Sequence, residues 1–159
     1  MKKMLALVSL VAIIVACGSP KPEDTVTGFF DAVKAGEGET AAGYLSQASI
    51  DAMSQGLEEL KADTTGFALS MMTGMLGVEI TQDELASLDG KGFAALLLGS
   101  DMIAAEIGTG TIEILGSTIT GETATVQVRM TVDGEADEED VPLVLENGQW
   151  KLDMEGMGF

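Results

Sequence analysis

The chain has 159 residues, 26 of them acidic and 8 basic, for a formal charge of −18 with no histidine and a single cysteine. A balance this negative repels phosphate backbones and argues against nucleic acid as a partner. One cysteine excludes an internal disulfide, and the length fits one domain with its own hydrophobic core.

Residues 1–16 read as a leader. Met1, Lys2 and Lys3 make a basic start, and residues 4–16 are apolar apart from Ser9. The run is shorter than the roughly 20 residues that span a bilayer and has the shape of a secretory signal core. It ends in Ile14, Val15, Ala16 and Cys17, which resembles the lipobox of bacterial lipoproteins. That resemblance implies cleavage before Cys17, a diacylglyceryl thioether on its sulfur and acylation of the new amino terminus. A single acyl chain binds membranes reversibly, with a constant of about 10⁴ M⁻¹, whereas two or more hold permanently. The implied partner is therefore a lipid bilayer, reached through Cys17. Gly18 stands where lipoproteins retained in the inner membrane of enteric bacteria carry Asp, so the expected location is the outer membrane, facing the periplasm. Loss of Lys2 and Lys3 takes the formal charge from −18 to −20.

Residues 17–21 form a short tether, and 22–159 are expected to make a single domain, helical over 22–107 and sheet over 109–155. Pro22, Glu23 and Asp24 open a helix, because Pro suits the first turn and carboxylates suit the positive helix end. Val26, Phe29, Phe30 and Val33 recur at i, i+3, i+4 and i+7 as one apolar stripe. Gly36 and Gly38 stop it, and a short helix over 39–45 buries Ala42 and Leu45.

Several helices are expected between Ser49 and Ile107. Ile50, Met53, Leu57 and Leu60 share a face, and Phe67, Met71 and Met75 continue the pattern. Thr81 and Glu84 have capping-box spacing. A short helix to Leu88 follows, broken at Asp89 and Gly90. Residues 93–107 suggest a helix covered on most sides.

After Gly108 the period changes to two. Ile112 and Ile114, then Val126, Val128, Met130 and Val132, then Val141, Leu143 and Leu145, then Trp150, Leu152 and Met154 alternate with polar residues. Such alternation predicts half-buried antiparallel strands. Gly121 and Glu122 make a turn, 133–138 a polar loop, and Asn147-Gly148 a type I′ hairpin turn. The fold class is α+β: N-terminal helices packed on a curved four-stranded antiparallel meander, with an extra helical insertion.

Two stretches carry a family resemblance. One runs from Pro22 through Phe29, Phe30 and Gly36 to Tyr44 and Leu45. The other runs from Ala124 to Val132 and from Val141 through Gly148, Trp150 and Leu152. Together they are similar to lipoproteins of unknown function that carry a nuclear-transport-factor-2-like (cystatin-like) domain. The resemblance implies a first helix lying across a curved sheet and a final hairpin ending in Gly148, Gln149, Trp150, Lys151 and Leu152. It carries over no catalytic set.

Enzymes of that superfamily use Asp, His or Tyr inside the sheet, whereas this chain has no His and one Tyr, Tyr44. Asp31 reads as a solvated helix carboxylate. No catalytic residue and no cofactor are expected. Phe29, Phe30, Val128, Met130 and Trp150 are the candidates for lining an apolar ligand pocket. Asp133, Asp137 and Asp140 supply oxygen ligands of the kind a hard cation takes, but without EF-hand spacing, and no evolved metal site is expected. Arg129 is expected to pair with a glutamate across the sheet. The functional expectation is a non-catalytic binding or scaffolding module. Its partner would be a hydrophobic small molecule or an envelope protein bound by the outer sheet face, with a homodimer as one candidate assembly; an enzyme of the same superfamily is the third reading.

Overall fold

A computed structural model describes residues 20–78, 80–132 and 134–154. The expected leader over 1–16, Cys17 and Asp133 lie outside the described residues. Seven helices precede a four-stranded antiparallel sheet of order β1-β2-β3-β4, so the class is α+β as the alternation predicts.

Helix α1 (Pro22–Lys34) places Pro22 in its first turn with Glu23 and Asp24. Its C-terminus closes as a Schellman motif. The Glu37 N–H reaches the Ala32 carbonyl at 2.9 Å and the Gly36 N–H reaches Val33 at 3.0 Å. That closure needs a left-handed residue, and Gly36 supplies it with φ +69°. The stripe residues Val26, Phe29 and Val33 are buried, and Phe30 is partly so.

Helix α2 (Gly38–Ala42) is shorter than the expected 39–45. Leu45 leaves the helix and bridges Leu152 in parallel. Backbone pairing competes successfully with the last helical turn here. The Leu152 N–H donates to Tyr44 and the Ser46 N–H donates to the Leu152 carbonyl, both at 2.8 Å.

The insertion comprises α3 (Gln47–Ala62), α4 (Phe67–Leu76), α5 (Gln82–Ser87), α6 (Gly90–Leu98) and α7 (Asp101–Thr109). The capping box forms as its spacing predicts: Thr81 and Glu84 each accept from the other's backbone N–H. Two expectations are corrected. Phe67 and Met71 do not continue the buried stripe but are 70% and 55% exposed. α4 instead turns Leu69 and Met72 toward a second small core of Leu57, Leu85 and Phe93. Nor do residues 93–107 make one covered helix. The axis bends by 52° between α6 and α7, because Ser100 starts a new helix by accepting the Ile103 N–H. α7 buries none of its residues fully, and Met102 is exposed.

The strands are β1 (Thr111–Thr120), β2 (Thr123–Val132), β3 (Glu135–Glu146) and β4 (Gln149–Leu152). Register places Ile112, Ile114, Val126, Val128, Met130, Val141, Leu143, Leu145, Trp150 and Leu152 on the inner face, against α1. Asn147 and Gly148 have φ of 52° and 78°, as the type I′ turn requires. The expected loop over 133–138 is corrected: β3 begins at Glu135, and Glu138 lies opposite Arg129. The acidic run is a strand, and β4 pairs only with its far end, Leu143 to Glu146. From Glu135 to Asp140 this strand is an edge whose charges discourage pairing with another chain.

Candidate functional site

The described chain is anchored to the sheet at its first residue. The Trp150 indole N–H donates to the Pro20 carbonyl at 3.0 Å, which fixes the chain three positions after Cys17. Around that contact lies a pocket of about 390 Å³ whose walls include Thr25, Gly43, Tyr44, Trp150 and Lys151. Lys151 donates to the Gly43 carbonyl at 2.6 Å and Thr25 to the Trp150 carbonyl at 3.3 Å.

The five residues expected to line an apolar ligand site do come together, but as packing. Phe29, Val128 and Trp150 are 6%, 0% and 6% exposed and belong to one contiguous core, with Phe30 and Met130 packed against it. Phe29 and Phe30 meet edge-on with centroids 5.4 Å apart. Of the five, Trp150 lines the pocket beside Pro20.

A larger groove, about 730 Å³, opens elsewhere, between the α1–α2 turn and α6. Gly36, Glu39, Leu88, Asp89, Lys91 and Leu96 are among its walls. Beside it α2 and α6 approach at backbone distance: a Cβ on Gly38 would overlap the Ala95 carbonyl oxygen. The sequence reading does not bring these residues together as a groove. Gly36 and Gly38 are legible there as helix stops, and the close approach that Gly38 permits is a tertiary fact.

A third hollow, of about 510 Å³, lies on the outer sheet face among Thr118, Thr125, Gln127 and Asp140. This face is polar and open. Arg129 sits in its middle, bonded to Glu113 at 3.0 Å and Glu138 at 2.6 Å, which is the cross-strand pairing expected of it. These two carboxylates hold the Arg129 guanidinium more firmly protonated than usual, Glu138 most of all.

Asp137 and Asp140 are not brought together. Three positions apart on one strand, they point to opposite faces, Asp137 opposite Met130 and Asp140 opposite Gln127. Among the described residues no group of three or more His, Cys, Asp or Glu has metal-holding geometry. Asp31 is exposed on α1, and Tyr44 lies against Gly28. The carboxylates whose proton affinity is lowered each have a local structural partner. Glu23 is held by the Ser117 hydroxyl, Asp63 by the Thr65 hydroxyl and nearby backbone N–H groups, and Glu84 by the backbone and hydroxyl of Thr81.

Among the described residues no single helix is long and apolar enough to cross a membrane. No family model and no curated protein matches this chain. Among solved structures it is similar to a crystal structure of a protein from Campylobacter jejuni described as an NTF2-like transpeptidase, at 16% identity and a TM-score of 0.41, covering 83% of this chain and 96% of that one.

Proposed function

We propose that this protein is a membrane-anchored lipoprotein of the cell envelope whose domain acts by binding rather than by chemistry. The anchor reading rests on Ile14, Val15, Ala16 and Cys17 behind a basic, apolar leader. The non-catalytic reading rests on one observation. Reaction centres gather groups with displaced proton affinities in a cleft, whereas Asp63, Glu84 and Arg129 hold theirs in a turn, a cap and a cross-strand pair, and Glu23 holds its own in one helix-to-strand bond to Ser117.

Of the binding modes, contact with an envelope protein through the outer sheet face has the better support. The sheet's inner face is occupied by α1, and Phe29, Val128 and Trp150 are spent on the core. The outer face presents Thr118, Thr125, Gln127 and the Arg129 cluster to solvent. A small ligand is the second reading, and the groove beside Gly38 favours it more than the sheet interior does. The proposed address is the outer membrane, facing the periplasm.

Native mass spectrometry of protein extracted from its own membranes tests this reading. A diacylglyceryl adduct on Cys17 together with a dimer or hetero-complex is the expected result. Unmodified Cys17 overturns the anchor, and a co-purifying small mass with no protein complex overturns the interface in favour of a ligand.

A further inference from the structure

We propose that the end of the domain carrying Lys21, Tyr44, Gln149 and Lys151 is seated against phospholipid headgroups. The inference rests on the anchored reading above and adds an orientation to it.

The tether supplies the first argument. Cys17 and Pro20 are three residues apart, which at full extension reach about 11 Å. The Trp150 indole removes the remaining slack by holding the Pro20 carbonyl at 3.0 Å. A thioether-linked lipid on Cys17 thus brings the bilayer to the rim of the pocket formed by Pro20, Tyr44, Trp150 and Lys151.

The second argument is charge. Six basic residues follow Cys17 in a strongly acidic chain. Lys34 is turned to the Gly110 carbonyl, Lys61 pairs with Glu58, and Arg129 is shared by Glu113 and Glu138. Lys91 lines the groove that also holds Glu39 and Asp89. Lys21 and Lys151 are the two that stand beside the tether. Lys21 is exposed, and Lys151 keeps two of its three donors after bonding Gly43. Of the acids nearby, Glu23 is drawn away to Ser117 and Glu146, opposite Gln149, accepts the Gln47 N–H, while Asp24 is exposed in the first turn of α1. Elsewhere the surface is acidic enough to be pushed off an anionic bilayer, so this end is the one that can approach.

The third argument is side-chain type. Lysines on flexible stems reach phosphates, and a tyrosine at headgroup depth has one apolar and one wet end. Tyr44 is partly buried and lines the pocket through which headgroups would be met. Trp150 is not an inserted side chain, being 6% exposed, but it lies directly behind this surface.

Trp150 is also the only tryptophan, and Cys17 the only cysteine. The mature chain can therefore be coupled at Cys17 to a maleimide-headgroup phospholipid in phosphatidylethanolamine–phosphatidylcholine vesicles, with Trp150 emission read against lipids brominated high in their acyl chains. At least twofold stronger quenching is expected for the coupled chain than for an uncoupled Cys17→Ser chain mixed with the same vesicles. Equal quenching overturns the orientation. Lys21→Glu, at an exposed position that leaves the fold intact, is expected to lower the quenching by half or more at unchanged circular dichroism. Unchanged quenching in that variant overturns the headgroup contact. Inorganic phosphate shifting Trp150 emission as strongly as lipid would replace the bilayer by a soluble anion. Because the coupling is chemical, this outcome is independent of the mass of the native protein, which alone decides whether Cys17 is lipidated in the cell.

Discussion

The hydroxyls of Ser46 and Ser49 lie 2.8 Å apart and are almost wholly buried, at 0% and 1% exposure. They stitch the start of α3 to the end of the sheet. Ser46 accepts the Ser49 N–H as an N-cap, and Ser49 accepts the Met154 N–H at 2.8 Å while facing the Leu152 carbonyl at 3.2 Å. The helical insertion and the final hairpin thus share one small buried polar seam.

Ser49→Ala is expected to strip the Met154 N–H of its acceptor. A buried donor left without a partner costs about 1–3 kcal/mol. Urea denaturation should show a lower midpoint at an unchanged slope. An unshifted midpoint would mean that water enters the seam and replaces the hydroxyl.

Two glycines in helices should behave oppositely. Gly38→Ala places a methyl on the Ala95 carbonyl oxygen and against the Gly99 backbone, neither of which can move without separating α2 from α6. Gly56 lies in the middle of α3, exposed, with open space where a Cβ would stand. Gly56→Ala is expected to raise stability by about 0.5–1 kcal/mol through helix propensity, and Gly38→Ala to lower it by more than that. Thermal melts of the two variants beside the parent protein read the contrast directly.

The acidic edge of β3 makes a prediction about association. Glu135, Asp137 and Glu139 alternate along an edge that β4 leaves unpaired. Replacing all three by Thr keeps strand propensity and removes the repulsion that protects an open ladder. The triple variant should form dimers or larger species by light scattering at concentrations where the parent chain does not. A monomeric variant would show that edge twist, not charge, protects this strand.

These contrasts also show where sequence reading succeeds. The strands, the type I′ turn at Asn147 and Gly148 and the Thr81–Glu84 capping box follow from local chemistry, since period, turn dihedrals and cap geometry are set within a few residues. Failure comes where tertiary partners decide. Leu45 fits a helical stripe but is taken by Leu152. Phe67 and Met71 fit a buried face, yet the core accepts Leu69 and Met72 from the adjacent one. Residues 135–138 have loop composition, but their pairing with β2 outweighs it. Among the candidate site residues, apolar type alone cannot separate a cavity wall from a filled core, so Phe29 and Val128 are legible as inward-facing but not as packed solid.

The capping box supplies a pH dependence with a definite sign. The Glu84 carboxylate is held below the usual glutamate range by the Thr81 backbone N–H and then by the Thr81 hydroxyl, at 2.9 and 2.7 Å. Its affinity for a proton is lower folded than unfolded, so the folded state binds fewer protons as pH falls. The contribution is complete above the unfolded value of about 4.3 and is lost as pH drops through the lower folded value. Acidification also relieves the repulsion among 26 carboxylates, which acts in the opposite direction on the whole chain. A difference measurement removes that background. Glu84→Ala should be less stable than the parent chain at pH 7 by chemical denaturation, and the gap should narrow between pH 5 and pH 3. A gap that stays constant over this range would place the stabilisation in packing by the Glu84 stem rather than in its charge.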